Sequence, residues 1–213
     1  RSIPKCIDQQ LKSLLKPYLY TALFTSLLNL VCHYAAFHYL PGSIGETIKV
    51  AGGFLLGLPH TTTYAGQEFF STGPMWYLLA LLVGWILLDC ILNIFPEAYT
   101  HWAVLGCMLL GWGTSLVWEL PFSLTQGAVI VPYLYIGYLA KKNRWLDQPL
   151  SRRTLYLLLG GTALTAVGSL LTRSTDCISM GEWTLGPLSI LLDATTGYLF
   201  IRLFLRLNRF DGP

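Results

Sequence analysis

The side chains able to do chemistry in this sequence are few, and they stand in apolar surroundings. Asp193 lies near the middle of LGPLSILLDATTGYLF, and Asp89 lies towards the end of GPMWYLLALLVGWILLDCILNIF. Burying a carboxylate in lipid is costly, so such groups face protein or a wet cavity. Asp193 reads either as a substrate-site residue or as a hydrogen-bond partner for Ser or Thr on a neighbouring helix. No Lys or Arg lies at its depth, so an intramembrane ion pair is not on offer. Glu119, in WELPF beside Trp118, reads as a site carboxylate or as a wet interfacial residue. His33 and His38 alternate with Tyr34, Phe37 and Tyr39, as in an interfacial aromatic belt more than in a catalytic centre. No two histidines stand four apart on a helix for zinc, and there is neither a phosphate loop with its Lys nor a GxSxG elbow. The five cysteines have no CxxC spacing and read as small buried hydrophobes.

The elements that must position these residues follow from composition. Of the 213 residues, 54% are hydrophobic and only 12% charged, against about 25% charged in soluble domains. The net charge of +3 is modest and clumped, which argues against a nucleic-acid partner. A membrane helix needs about 20 mostly apolar residues. Six such runs occur, near 17–40, 74–94, 99–118, 121–140, 154–172 and 185–205, and Pro17, Pro74 and Pro121 stand at starts, where a missing N–H costs nothing. The expected fold is an all-α polytopic integral membrane helix bundle of six transmembrane helices, a single transmembrane domain over 1–213.

Lys and Arg set its orientation, because short basic loops stay cytoplasmic. Six alternating spans put Arg1, Lys5, Lys12, Lys16, Lys141, Lys142, Arg144, Arg152, Arg153, Arg202, Arg206 and Arg209 on one side, leaving Lys49 and Arg173 opposite. Both ends are then cytoplasmic, and 41–72 is an outer loop whose VAGGFLLGL piece is too short to span and too rich in Gly for a firm helix. Gly161, Thr165 and Ser169 recur every four residues and make one face of the fifth span smooth enough for close helix approach.

Three segments carry a family resemblance, in order. STGPMWYLLALLV (71–83) resembles the Gly-x-Leu-Trp-Phe-Leu segment of membrane acyltransferases of the acyltransferase 3 family, enzymes that acylate envelope sugars. LKSLLKPYLYTALFTSLL (11–28) is similar to that family's basic segment ending in Leu-x-Pro-Tyr. LPFSLTQGAVIVPYLYIGYLAKK (120–142) is similar to its Leu-Pro-Trp helix. Tyr77 stands for the usual Phe, Phe122 for Trp, and Thr125, followed by Gln126, for a common Asp.

The resemblance implies transfer of an acyl group, acetyl first, from a cytoplasmic acyl-CoA to a hydroxyl of a cell-envelope carbohydrate at the inner membrane. It implies no bound cofactor; the partners are membrane lipid, acyl-CoA and the carbohydrate acceptor. Trp76 would stack on a sugar ring, and Glu119, Gln126 and Asp193 would contact substrate. The family's Arg and His, about ten residues apart on its first helix, have no match here, so the catalytic helix is expected before Arg1 and the chain alone is expected to be an inactive internal piece. A carbohydrate or lipid transporter, or flippase, whose helices form half a bundle stays open as the alternative.

Overall fold

The computed structural model describes residues 8–64, 66–118, 120–174 and 176–207. Among them seven long helices carry the fold: α1 (Lys16–Phe37), α2 (Leu40–Leu56), α3 (Trp76–Ile94), α4 (Glu97–Ser115), α5 (Leu124–Lys142), α6 (Arg152–Thr172) and α7 (Pro187–Leu207). Prolines open α1, α2 and α7, where a missing N–H is no loss, and Ser151 caps α6 by accepting a bond from the Thr154 amide. A short hairpin pairs β1 (Thr62–Tyr64) with β2 (Gln67–Phe69). The chain forms two compact units, one ending at Val131 and the other beginning at Pro132. That boundary falls inside α5, at a proline that removes one bond of the helical ladder.

Among the described residues, five helical stretches are long and apolar enough to cross a membrane: Asp8–Phe37, Gly73–Ile94, Pro121–Lys142, Arg152–Thr172 and Pro187–Leu207. The protein is a multi-pass membrane helix bundle. The sixth expected run is helical as α4, but Glu97, Thr100, His101, Thr114 and Ser115 make it less apolar than the rest.

The first unit departs from the sequence expectation over 41–72, which is largely helix and not loop. Its glycines signalled weakness, since Gly costs a helix interior about 1 kcal/mol against Ala. Here they admit backbone. A Cβ at Gly53 would sit 1.8 Å from the Phe70 carbonyl oxygen, and one at Gly52 would strike the Phe69 ring at 2.4 Å. α2 stops at Gly57, whose φ of 63° is left-handed.

His38 takes a left-handed turn (φ 50°), so that α2 runs back along α1. A polar seam joins the two helices: His33 Nδ1 and Ser43 Oγ are 2.9 Å apart, Ser43 donates to the Tyr39 carbonyl, and Thr47 donates to Asn29 Oδ1 at 3.3 Å. At the open end of this pair the Tyr18 hydroxyl donates to the Phe54 carbonyl, and Tyr18, Phe54 and Leu79 form a buried cluster with Leu15, Met75 and Leu78. The start of α1 and the start of α3 are therefore at one end of the unit. Six-pass alternation had placed Lys16 and Trp76 on opposite membrane faces. Here α2 returns along α1, and the starts of α1 and α3 pack together at one end of the unit. Cys32, expected to be buried, is exposed on α1, which is covered chiefly by α2 on one side; Cys90, Cys107 and Cys177 are part-buried, and Cys6 lies outside the described residues.

Close packing at small residues continues into α4 and α5. A Cβ at Gly127 would meet Val83 at 2.4 Å and the Ala80 carbonyl at 3.3 Å, and one at Gly111 would meet Ala128 at 2.7 Å. In the second unit α6 and α7 are antiparallel: Gly161 lies under Thr195, Gly168 under Leu185, and Thr196 donates to Thr162 at 3.2 Å. Of the small residues expected to admit a neighbour, Gly161, Thr165 and Ser169, Gly161 is packed against α7, and Gly168 packs against Leu185.

Candidate active site

Leu120 to Gln126 holds two adjacent residues in an unusual backbone conformation. Pro121 fixes the entry into a short turn, and Phe122 (φ 61°) and Ser123 (φ 51°) then both take the left-handed conformation, which costs an L-residue about 1–2 kcal/mol. Two non-glycine residues in that conformation persist only where their surroundings over-determine them, and such strain gathers at functional sites. The determinant here is Ser123, fully buried, whose hydroxyl donates to the Gly57 carbonyl at 2.6 Å and approaches the Trp76 carbonyl at 3.4 Å. One side chain thus ties the end of α2 and the start of α3 to the start of α5.

Around this tie lie two residues expected from the sequence. Trp76 opens α3 half-buried, its ring edge-on to Tyr77 with centroids 5.8 Å apart. Gln126 is 4% exposed and Thr125 is 2% exposed, the Thr125 hydroxyl accepting a bond from the Leu120 amide at 3.3 Å. Trp76 and Gln126 are brought to the same end of the same unit, linked through Ser123. Glu119 lies outside the described residues. Phe122 is 49% exposed and Trp76 half-buried, so two aromatic side chains stand near the same chain segment as the buried Thr125 and Gln126.

Asp193 lies on α7 in the second unit and is half-buried. In that unit a cavity of about 500 Å³ is lined by Ile136, Leu158 and Leu191 with Ser151, Thr195 and Tyr198. The loop that walls it is held by Arg202, whose guanidinium donates to the carbonyls of Trp145 (3.2 Å), Leu146 (2.7 Å) and Gln148 (2.6 Å). Asp89, on α3, has a buried Oδ2 without a hydrogen-bond partner among the described residues. Nor do three His, Cys, Asp or Glu side chains converge on a metal-sized site among those residues.

Sequence reasoning passed over Ser123 and Arg202. Ser123 is one hydroxyl among many, and its only signal was its place two residues after the Pro of the Leu-Pro motif. Arg202 entered only as a positive charge. Neither partner set is legible from spacing, because the carbonyls involved lie 47 and 66 residues from Ser123 and 54 to 57 residues from Arg202.

The sequence model of the acyltransferase domain of the acyltransferase 3 family matches residues 1–210. No curated protein and no solved structure matches the chain. With a match over nearly the whole length, on a multi-pass helix bundle whose Trp76 and Leu120–Gln126 segments meet, the chain belongs to the acyltransferase 3 family of membrane acyltransferases.

Proposed function

We propose that the protein is an O-acyltransferase of the cell's inner membrane that moves an acyl group, acetyl in the first instance, from acyl-CoA to a hydroxyl of a cell-envelope carbohydrate. The acceptor oxygen attacks the thioester carbonyl, the C–O bond forms, the C–S bond breaks, and the hydroxyl proton leaves on the coenzyme A thiol. Such a reaction needs a base for that proton and donors for the charge on the carbonyl oxygen. The observation that carries the reading is the strained Phe122–Ser123 turn, locked to Trp76 by a buried hydroxyl, inside a chain of this family.

In this reading Trp76 and Phe122 take the apolar face of a sugar, and Gln126 and Glu119 meet its hydroxyl edge, since a carbohydrate has flat apolar faces and polar rims to be satisfied separately. Asp193 is a separate substrate contact on the second unit. The test is transfer of labelled acetyl from acetyl-CoA by the full-length protein in proteoliposomes, with envelope polysaccharide or glycolipid as acceptor. Label in the carbohydrate is the expected result. If no label moves while the protein carries glycolipid across the bilayer, a transporter takes the place of the enzyme.

A further inference from the structure

Beside the Arg202-held loop of the second unit lies a cleft of about 720 Å³, distinct in its chemistry from the neighbouring cavity. Its walls include Leu155, Leu199 and Leu203, and its polar lining includes Arg202, Arg206 and Asp147. The loop joins two stretches long enough to span a membrane, Pro121–Lys142 and Arg152–Thr172, so it lies where both leave the bilayer. Lys141, Lys142, Arg144, Arg152 and Arg153 flank it.

The arginines keep their charge. Arg202 bonds only neutral carbonyls, and among the described residues none of Arg144, Arg152, Arg153, Arg202 or Arg206 is ion-paired. Among the residues that line the cleft, two arginines therefore face one acid, Asp147. Arg206 is exposed and presents a planar fork suited to a phosphate, with two parallel N–H donors. Leu203 and Leu205 are 50% and 42% exposed, so the apolar wall continues onto the outer surface of α7. A ligand can then enter sideways from the bilayer.

We propose that this cleft is a binding site for an anionic phospholipid, its phosphate against Arg206 and the flanking basic residues and one acyl chain along Leu155, Leu199 and Leu203. A soluble phosphate compound would use the charges and leave the leucine wall idle; a zwitterionic lipid would use the wall and gain little from the charges. Basic residues at a membrane surface favour anionic lipid by about fivefold each. The proposal is independent of the acyl-transfer reading.

The test uses the full-length protein in neutral detergent, with native mass spectrometry of bound dioleoylphosphatidylglycerol against dioleoylphosphatidylcholine. Phosphatidylglycerol adducts are expected to survive dilution that strips phosphatidylcholine. Arg206→Gln should weaken them about fivefold and leave phosphatidylcholine unchanged. Arg173→Gln, at the far end of α6, should alter neither. Arg206 is exposed and bonds none of the described residues, so its replacement should leave the protein intact, which its melting temperature reports. Equal retention of the two lipids overturns the proposal, as does indifference to Arg206→Gln. Displacement of phosphatidylglycerol by coenzyme A or by inorganic phosphate would also overturn it, making the cleft a site for a soluble phosphate ligand.

Discussion

The Ser123 hydroxyl donates to the Gly57 carbonyl at 2.6 Å, joining residues 66 apart in the chain, and both sit at left-handed backbone positions. Gly57 takes that conformation freely, and Ser123 takes it at a cost. The bond offsets the cost, since a buried carbonyl left without a donor loses about 1–3 kcal/mol. Ser123→Ala should therefore destabilise the protein by that amount, and Ser123→Gly by less, because glycine relieves the φ strain while losing the same bond. Thermal unfolding of the two variants in one detergent gives the order. A Gly variant less stable than the Ala variant would refute the strain argument.

Gly45 and Gly53 lie on the same helix and should respond oppositely to alanine. Nothing lies within 4 Å of a Cβ built at Gly45, so Gly45→Ala should gain about 0.5–1 kcal/mol of helix stability. At Gly53 the added carbon meets the Phe70 carbonyl, backbone that cannot swing aside, and Gly53→Ala should lower the melting temperature and disturb the β1–β2 hairpin. Hydrogen exchange at 62–69 reads the second effect directly.

Because α1 and α3 start at the same end, single cysteines at Ser13 and Thr63 should react with an impermeant thiol reagent from the same face of the membrane. The background would be the full-length protein without its native cysteines. Labelling of the two from opposite faces would restore the loop reading of 41–72.

Trp76→Ala should raise the KM for the carbohydrate acceptor several-fold with little change in the dependence on acyl-CoA. Gln126→Ala, removing a buried polar side chain, should lower both activity and stability. Steady-state kinetics with each substrate varied in turn separates the two. A Trp76→Ala protein impaired only towards acyl-CoA would move the tryptophan to the donor.

Arg202→Lys should loosen the 145–148 loop despite keeping the charge, because an ammonium cannot span the three carbonyls that the guanidinium fork reaches. Faster amide exchange across 145–150, with α6 and α7 unaffected, is the expected signature.

Much of the fold was legible because its signals are local. Apolar length placed α1, α3, α5, α6 and α7, prolines marked where helices begin, and the small-residue face of α6 announced a close neighbour. Trp76 was singled out by the residues around it, and Gln126 by its place after the Leu-Pro motif. Helix length, proline geometry and short motifs are properties of a few consecutive residues, so they survive without knowledge of the rest of the chain.

Other features were decided only by residues far apart. The glycines of α2 read as weakness until Phe69 and Phe70 came against them, and with α2 a helix the direction of α3 relative to α1 reversed. The left-handed pair at Phe122 and Ser123 is unfavourable by local propensity and exists because Gly57 and Trp76 supply acceptors for one buried hydroxyl. Arg202 became a latch only when three carbonyls of a distant loop lay within its reach. In each case sequence fixes what a residue prefers alone, whereas the partner that overrides the preference comes into range only in the folded chain.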